Sequence, residues 1–295
     1  MLDEETKYGS ISIRNFYIRR AFRILPAAFT YLLCVGLLAR VLGITWLSWI
    51  SALLFCRNYV LVEPWKDWYT SHFWSLGVEE HFYLLLPGLL VLVRRRRALV
   101  LGTMALMVLA WRSYYVSSFQ LSPEQHTDTV IDALLIPATL IVIAKDRVHF
   151  GTFARYLTPG MTLVLGLTYL GLMAVHVPFY LALRNLILPL FLLSTCLNSE
   201  TLFGRILECP PLRWLGRLSY SLYLWQQLFF YMWEPGSPLG KIQQFPLNLL
   251  LAMGCACASY YLLERPLVRY SHKISNSGVG GRNLEKPSVE MVKVT

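Results

Sequence analysis

Long apolar runs alternate with short polar segments along most of the chain. A hydrocarbon core of about 30 Å is crossed by about 20 helical residues at 1.5 Å each. Eight runs approach this length, at residues 24–43, 74–93, 98–117, 129–145, 158–176, 178–197, 214–233 and 245–264. A further apolar stretch, 46–62, contains Arg57 and Asn58, which favours a re-entrant or interfacial segment. The pattern predicts an all-α, polytopic transmembrane helix bundle of eight spans plus this segment.

Basic residues mark every second boundary between the predicted spans. Their clusters fall at residues 14–23, 94–97, 145–155, 205–217 and 265–273. Because cytoplasmic loops are enriched in Lys and Arg, this alternation predicts a multi-pass protein of the cell (inner) membrane with both termini in the cytoplasm. A ninth crossing at 46–62 would place residues 94–97 outside, which argues against it.

These boundaries divide the chain into three parts. Residues 1–23 form a cytoplasmic N-terminal segment, and residues 24–270 form the transmembrane domain. Residues 271–295 are rich in Gly, Ser and charged side chains, so we expect a disordered cytoplasmic tail.

Composition supports the membrane assignment. Charged residues make up 15% of the 295 residues and hydrophobic residues 56%, whereas soluble domains carry about 25% charge. The net charge of +10 would suggest a nucleic-acid partner in a soluble protein. Here the basic clusters flank apolar runs, so the expected partner is the lipid bilayer and not nucleic acid. None of the six histidines has metal-ligand spacing, so no metal site is predicted.

Two adjacent carboxylates lie at the predicted outer start of the second span, in the stretch Trp74-Ser-Leu-Gly-Val-Glu-Glu-His-Phe-Tyr83. A carboxylate at the membrane centre costs ~2.5–3.5 kcal/mol on insertion scales. Ser75, Glu79 and Tyr83 are four residues apart, so they share a helical face, and that face would line a polar cavity. In the alternative, both glutamates cap the helix N-terminus, where the dipole favours anions. The sequence alone favours neither.

Arg20 and Arg23 precede the first predicted span and project from one helical face. Arginine binds phosphate through a bidentate fork, so the pair could hold a phosphorylated cofactor. The alternative is a topology signal that contacts anionic lipid headgroups, and taken by itself this is the better-supported interpretation.

Two further groups of polar residues lie inside predicted spans. Asp132 has no basic neighbour in the sequence, so it requires a buried partner from another helix. Hydroxyls, an indole and two amides follow one another in the stretch Leu215–Gln227, which includes Tyr223 and Gln226. This stretch is either a binding face or a polar seam between helices. Glu264 and Arg265 complete the set as an acid–base pair at a helix end near the cytoplasmic surface.

Taken together, these residues resemble the acyltransferase 3 family of multi-span membrane enzymes. Four stretches in the family's order, over residues 10–270, carry the resemblance. They are Phe16-Tyr-Ile-Arg-Arg-Ala-Phe-Arg-Ile-Leu-Pro26, Trp74-Ser-Leu-x-x-Glu-Glu-x-Phe-Tyr83, Leu215-Gly-x-x-Ser-Tyr-Ser-Leu-Tyr-Leu-Trp225 and Glu264-Arg-Pro266. Each stretch alone is modest evidence, and the ordered set is specific.

The resemblance implies transfer of an acyl group, commonly acetyl, from coenzyme A to a hydroxyl of a carbohydrate or similar acceptor. Acyl-CoA would be a co-substrate, with no permanently bound cofactor. Glu79 would be the catalytic residue, assisting proton handling or orienting a histidine, and Arg20 and Arg23 would hold the donor phosphates. The implied substrate-binding residues, which shape the cavity between donor and acceptor, are Trp74, Ser75, Tyr83, Asp132, Tyr223 and Gln226.

The chain also departs from the family pattern. Members have about ten spans, and the first carries an essential histidine preceded by an arginine. With eight predicted spans, this chain is expected to be an N-terminally truncated member that lacks the first two. Val130 stands where an arginine is common two residues before Asp132, and Gln226 stands where a histidine is common.

A second function from another class fits the intramembrane acids equally well. The chain would then be a non-catalytic membrane component that flips or carries a glycan or lipid intermediate. The presence or absence of two further spans with an arginine–histidine pair upstream would discriminate between the two functions.

Overall fold

The structure is a computed structural model that describes residues 1–60, 67–119, 125–145, 150–151, 154–174, 180–231 and 239–280. These residues form helices joined by short connections, and none of the residues in those ranges lies in a β-strand. An all-helical chain is the expected solution in lipid, because each helix satisfies its own backbone hydrogen bonds there.

Fifteen α-helices are numbered here in chain order, over the described ranges. They are α1 (Leu2–Tyr8), α2 (Ile13–Leu37), α3 (Ala39–Leu42), α4 (Trp46–Leu53), α5 (Trp68–Ser71), α6 (Phe73–Leu92), α7 (Arg97–Phe119), α8 (Thr127–Val130), α9 (Asp132–Lys145), α10 (Pro159–Ala174), α11 (Tyr180–Leu197), α12 (Leu202–Leu207), α13 (Pro210–Phe229), α14 (Leu247–Ala258) and α15 (Arg265–Gly280). Short 3₁₀ turns at Arg57–Tyr59 and Gly240–Gln243 and a π-helical turn at Ser259–Glu264 complete the described elements.

The bundle has the character of a multi-pass membrane protein. Within the described ranges, four helical segments are long and apolar enough to cross a membrane: Ile13–Leu37, Trp68–Leu92, Arg97–Tyr115 and Leu247–Ser275. The other four predicted spans fall on shorter or less apolar helices, α9, α10, α11 and α13, so length and composition do not establish all eight crossings. Many large apolar side chains on the outside of the bundle are exposed, as lipid-facing positions require.

The helix that contains the first predicted span begins before that span. The sequence places residues 1–23 ahead of it, but α2 starts at Ile13, after Ser12 caps the backbone N–H of Asn15. Arg20 and Arg23 therefore belong to the helix itself. The polar first half of α2 packs against α15, where Asn15 Nδ2 donates to the carbonyl of Ser275 at 3.3 Å.

The predicted re-entrant segment does not cross the membrane in its described part, residues 46–60. Helix α4 has eight residues, which at 1.5 Å each span about 12 Å. The chain then reverses through Phe55, whose φ of 57° lies in the left-handed region. The Arg57 side chain is buried and donates to the carbonyl of Val60 at 2.8 Å. Residues 61 and 62 lie outside the described residues.

The C-terminal helix continues further than predicted. Residues 271–280, which we assigned to a disordered tail, extend α15, and the rest of that tail lies outside the described residues. The physical reason is a polar contact with α2: Ser271 and Ser275 are buried, and Arg19 Nη1 donates to Ser275 Oγ at 3.2 Å.

The core lies around α2, α6 and α13. Tyr31 of α2 is completely buried and donates its hydroxyl proton to the carbonyl of Tyr69 at 2.7 Å. Its ring contacts Phe73 and Trp225. Ala27, one turn earlier, is also fully buried, and small residues at such positions let membrane helices approach closely. This core fixes the three helices that form the site.

The N-terminal helix is anchored by an ion pair between Glu5 and Arg97. Arg97 donates from Nη1 to Glu5 Oε2 at 2.5 Å and from Nη2 to Oε1 at 3.0 Å. This bidentate contact lowers the pKa of the Glu5 carboxyl below its ordinary value of 4.5. Arg94 also contacts Glu5, at 3.4 Å, so two arginines of the 94–97 cluster are occupied in holding α1.

Gly77 allows α6 to pack against the reversal after α4. A Cβ built at Gly77 would lie 2.4 Å from the carbonyl oxygen of Phe55, which is closer than real contacts allow. Gly88, on the same helix, has open space at the equivalent position. The glycine of the Trp74–Tyr83 stretch is therefore a packing requirement.

We predict that Gly77→Ala destabilises the protein while Gly88→Ala does not. Overpacking against backbone costs about 1–3 kcal/mol, whereas replacing an unhindered helical Gly with Ala is neutral or favourable by up to ~1 kcal/mol. Thermal unfolding in detergent measures both variants. A Gly77→Ala melting temperature equal to that of Gly88→Ala would contradict the packing described here.

Candidate functional site

A cavity of about 390 Å³ lies between α2, α6 and α13, and we call it the Glu79 cavity. Volumes of this size are typical of small-molecule sites. Residues from three separate stretches of the sequence meet there, and two carry positive charge while one is a carboxylate. The lining residues are Arg20, Arg23, Ile24, Ser75, Leu76, Glu79, Tyr83, Ser219, Tyr220 and Tyr223.

Helix α6 supplies one continuous polar face to this cavity. Ser75, Glu79 and Tyr83 lie on it at successive turns, as their spacing predicts. Glu79 is the seventh residue of α6, beyond the first turn, so it does not cap the helix N-terminus. Tyr83 donates to Glu79 Oε2 at 3.4 Å, which orients the carboxylate. The cavity interpretation is therefore the correct one of the two.

Helix α2 supplies the two arginines. The Arg20 guanidinium lies 3.5 Å from the centroid of the Tyr83 ring, in a cation–π contact. Within the residues that the structure describes, Arg23 forms no hydrogen bond, and Arg20 bonds only to the side chain of Tyr83. Their N–H groups therefore remain available to an anionic ligand in the cavity.

Helix α13 closes the cavity through a short hydrogen-bond chain. Tyr223 Oη donates to the carbonyl of His72 at 2.5 Å, and Ser75 Oγ lies 2.5 Å from the same Tyr223 oxygen. A carbonyl only accepts, so the phenol proton points to His72, and Ser75 donates to the Tyr223 oxygen or to the same carbonyl, which lies 3.4 Å from Ser75 Oγ. The Ser75 hydroxyl is thus held in place by contacts with Tyr223 and His72. It orients α13 against α6.

Asp132 has the buried partner that its position in a span requires. The Asp132 carboxylate is 0% exposed and Arg112, from α7, is 5% exposed. The two form a bidentate pair at 2.9 and 3.1 Å, and Asn185 Nδ2 of α11 donates to Asp132 Oδ2 at 3.1 Å. One carboxylate therefore ties α7, α9 and α11 together.

A second cavity of about 430 Å³ adjoins the first, and we call it the Arg184 cavity. Ser75 and Glu79 line both cavities, so these two residues form their common wall. Its other lining residues come from α6, α7, α8, α9, α11 and the segment before α8. They are Trp74, Val78, Arg112, Gln125, Val130, Ala133, Leu134, Arg184 and Asn185.

The structure separates the predicted substrate-binding residues into four groups, of which one is Ser75, which lines both cavities. Tyr83 and Tyr223 line only the Glu79 cavity, and Trp74 lines only the Arg184 cavity. Asp132 lines neither, because both its oxygens are engaged by Arg112 and Asn185. Gln226 also lines neither cavity.

Sequence analysis missed several residues of the site. Arg112 carried a usable signal, because an arginine within the predicted span 98–117 is as costly as Asp132 and the two charges could have been paired. Ser219 and Tyr220 belonged to a stretch already recognised as polar. Arg184 also lies in a predicted span, but no feature of the sequence places it beside Glu79.

Glu264 is buried and does not pair with Arg265 at the surface, contrary to our expectation. Ser221 and Ser259 both donate hydrogen bonds to Glu264 Oε1, the latter at 3.2 Å. The helix does not end there but passes through the π-helical turn Ser259–Glu264, and Arg265 points away to contact the Tyr261 ring. The buried carboxylate of Glu264 thus joins the sequence stretches Leu215–Trp225 and Glu264–Pro266.

No metal centre accompanies these cavities in the described part of the chain. Within it, no group of three or more His, Cys, Asp or Glu side chains is placed to hold a metal ion.

Comparisons with known proteins relate this geometry to a family. The family model described as an acyltransferase domain matches residues 7–265. The chain is 26% identical over 88% of its length to a Bacillus subtilis protein named "Putative peptidoglycan O-acetyltransferase YrhL", covering 47% of that protein. It is 23% identical over 92% of its length to the O-acetyltransferase OatA of Staphylococcus aureus, covering 50% of it. The chain therefore spans about half the length of these curated relatives. No solved structure matches it.

We predict that Asp132→Asn strongly destabilises the bundle. Removing one partner leaves Arg112 as an uncompensated buried charge, which costs about 3–5 kcal/mol. Asp128→Asn is the matched control, because Asp128 is exposed and accepts from Trp111 Nε1 at 2.8 Å. Thermal unfolding in detergent should show a large loss for the first variant and a small one for the second. Equal losses would exclude a special role for the buried pair.

Proposed function

The chain belongs to the acyltransferase 3 family, and from this we propose that it transfers an acyl group, in particular acetyl, from coenzyme A to a hydroxyl of a carbohydrate acceptor. One observation carries the proposal: Arg20, Arg23 and Glu79 line the same cavity. Two cationic groups suited to phosphate and one carboxylate suited to proton transfer thus lie where a donor and an acceptor could meet.

The donor end of the site is assigned to α2. Coenzyme A carries a diphosphate and a 3′-phosphate, which arginine binds through paired N–H groups. Arg20 and Arg23 have such groups available and lie in the first half of α2, which the basic clusters place towards the cytoplasm. Acyl-CoA is made in the cytoplasm, so this end of the cavity faces the donor.

Glu79 is assigned to proton handling during the transfer. The acceptor hydroxyl oxygen bonds to the thioester carbonyl carbon, and the carbon–sulfur bond breaks. The hydroxyl proton leaves to a base, and the thiolate leaving group of coenzyme A then takes up a proton. Glu79 accepts the hydroxyl proton itself or orients a histidine that does so.

The names of the relatives support the carbohydrate acceptor. One is named for peptidoglycan O-acetylation and another as an O-acetyltransferase. Peptidoglycan is a glycan on the far side of the cell membrane, and a cavity system on both sides of Glu79 would let a cytoplasmic donor reach it. We also place the protein in the cell membrane. The basic clusters at every second boundary between the predicted spans favour cytoplasmic positions for both termini.

Coenzyme A binding tests the donor site. The double variant Arg20→Ala with Arg23→Ala should weaken binding by about 1.5–3 kcal/mol for each charge-assisted bond lost, that is about tenfold or more per arginine. Arg95→Ala is the control, because Arg95 belongs to the competing 94–97 cluster and is exposed. Isothermal titration of the purified protein with coenzyme A measures both. Weakened binding in Arg95→Ala alone would move the donor site to that cluster.

Acetyl transfer tests the role of Glu79 and separates the enzyme from a non-catalytic carrier. Glu79→Gln keeps the shape but cannot accept a proton, so transfer from radiolabelled acetyl-CoA to glycan should fall by about 10²–10⁴-fold. Coenzyme A binding should be retained in the same variant. Unchanged transfer would remove Glu79 from the mechanism. Glycan movement across vesicles without any transfer would instead support a carrier.

A further inference from the structure

We propose that the Arg184 cavity binds the acceptor, and that Arg184 selects an acceptor that bears an anionic group, a carboxylate or a phosphate, beside its hydroxyls. The inference deepens the proposed function, on which its acceptor role rests. It starts from the common wall of the two cavities, Ser75 and Glu79.

The two cavities lie at different heights along α6. The Arg184 cavity meets α6 from Trp74 to Glu79, and the Glu79 cavity meets it from Ser75 to Tyr83. The first is therefore displaced towards the start of α6, and the second towards its end and the 94–97 cluster. With that cluster in the cytoplasm, the Arg184 cavity lies on the outer side of Glu79 and the donor arginines on the inner side.

Among the described residues that line its cavity, Arg184 is the charged side chain without a partner. The Arg112 charge is neutralised by Asp132 at 2.9 Å, and the Glu79 carboxylate faces Arg20 and Arg23 across the first cavity. Arg184 is half-buried and has neither a hydrogen bond nor an ion pair with any residue in the described ranges. A guanidinium in such surroundings favours an anion as its ligand, because its hydration is already reduced.

The rest of the lining suits a sugar ring. Trp74 offers a broad apolar surface, and pockets for small ligands combine such surfaces with a few placed polar groups. The amide of Gln125 makes no hydrogen bond within the described residues, and the Asn185 side chain is fixed by its bond to Asp132. Asp132 is itself held by two hydrogen bonds from Arg112, so the position of the Asn185 amide is well defined. In its described lining, the cavity thus presents an aromatic plane, amides for hydroxyls and the guanidinium of Arg184 as an unpaired cation.

A matched pair of disaccharides tests the selection. The probes are a glucose disaccharide and the same disaccharide with glucuronic acid as one unit, which differ in one position, a hydroxymethyl group in the first and a carboxylate in the second. We expect the parent protein in detergent to bind the acidic probe at least tenfold more tightly than the neutral one, measured by titration without donor. Arg184→Gln should abolish this preference, and Arg184→Lys should restore part of it. Arg155→Gln, at an exposed arginine elsewhere, should keep it.

Failure of the inference is distinguishable from failure of the proposed function. Each variant is also titrated with coenzyme A, and its melting temperature shows that it is folded. An Arg184→Gln protein that keeps the preference, or a parent that shows none, overturns the inference even if coenzyme A binding and acetyl transfer persist. A preference that depends on Arg184 in a parent that neither binds coenzyme A nor transfers acetyl supports the anion site and overturns its role as an acceptor site.

Discussion

The cost of a charge held away from water is the constraint on which this structure depends. In a helix bundle with an apolar exterior, each charged group must find an opposite charge, hydrogen bonds or a polar cavity. Asp132 forms an ion pair with Arg112 and accepts a hydrogen bond from Asn185, and these contacts connect α7, α9 and α11. Glu79 finds a cavity shared with Arg20 and Arg23. The compensated charges hold helices together, and the available ones mark the places where ligands could bind.

Helix α6 is the element through which these constraints act together. One of its faces requires Gly77, because the backbone at Phe55 approaches too closely for any side chain. Another face presents Ser75, Glu79 and Tyr83 at successive turns. The close packing on the first face fixes the rotation of the helix about its axis. Because of that rotation, Glu79 faces both cavities and not the lipid. The packing at Gly77 therefore also sets the geometry of the site.

The family relationship and the geometry are independent lines of support for the proposed function. The match over residues 7–265 concerns sequence patterns, whereas the meeting of Arg20, Arg23 and Glu79 concerns side chains far apart in the chain. The sequence stretches that carry the family resemblance also meet in space. Ser221, in the stretch Leu215–Trp225, donates a hydrogen bond to Glu264, in the stretch Glu264–Pro266. Each stretch is therefore explained by contacts with another, with α2 and α13 closing the cavity against α6.

The sequence by itself determined the helical class, the membrane character, the shared face of Ser75, Glu79 and Tyr83, and the need of Asp132 for a partner. These follow from hydrophobic length and helical period, which are local properties. Only the tertiary structure identified Arg112 as that partner, assigned Trp74 and Tyr223 to different cavities, and brought Arg184 and Glu79 into one cavity. The tertiary structure also shows that the C-terminal helix continues through residues 271–280. Pairing between helices depends on how they rotate and pack against each other, and no local period encodes that.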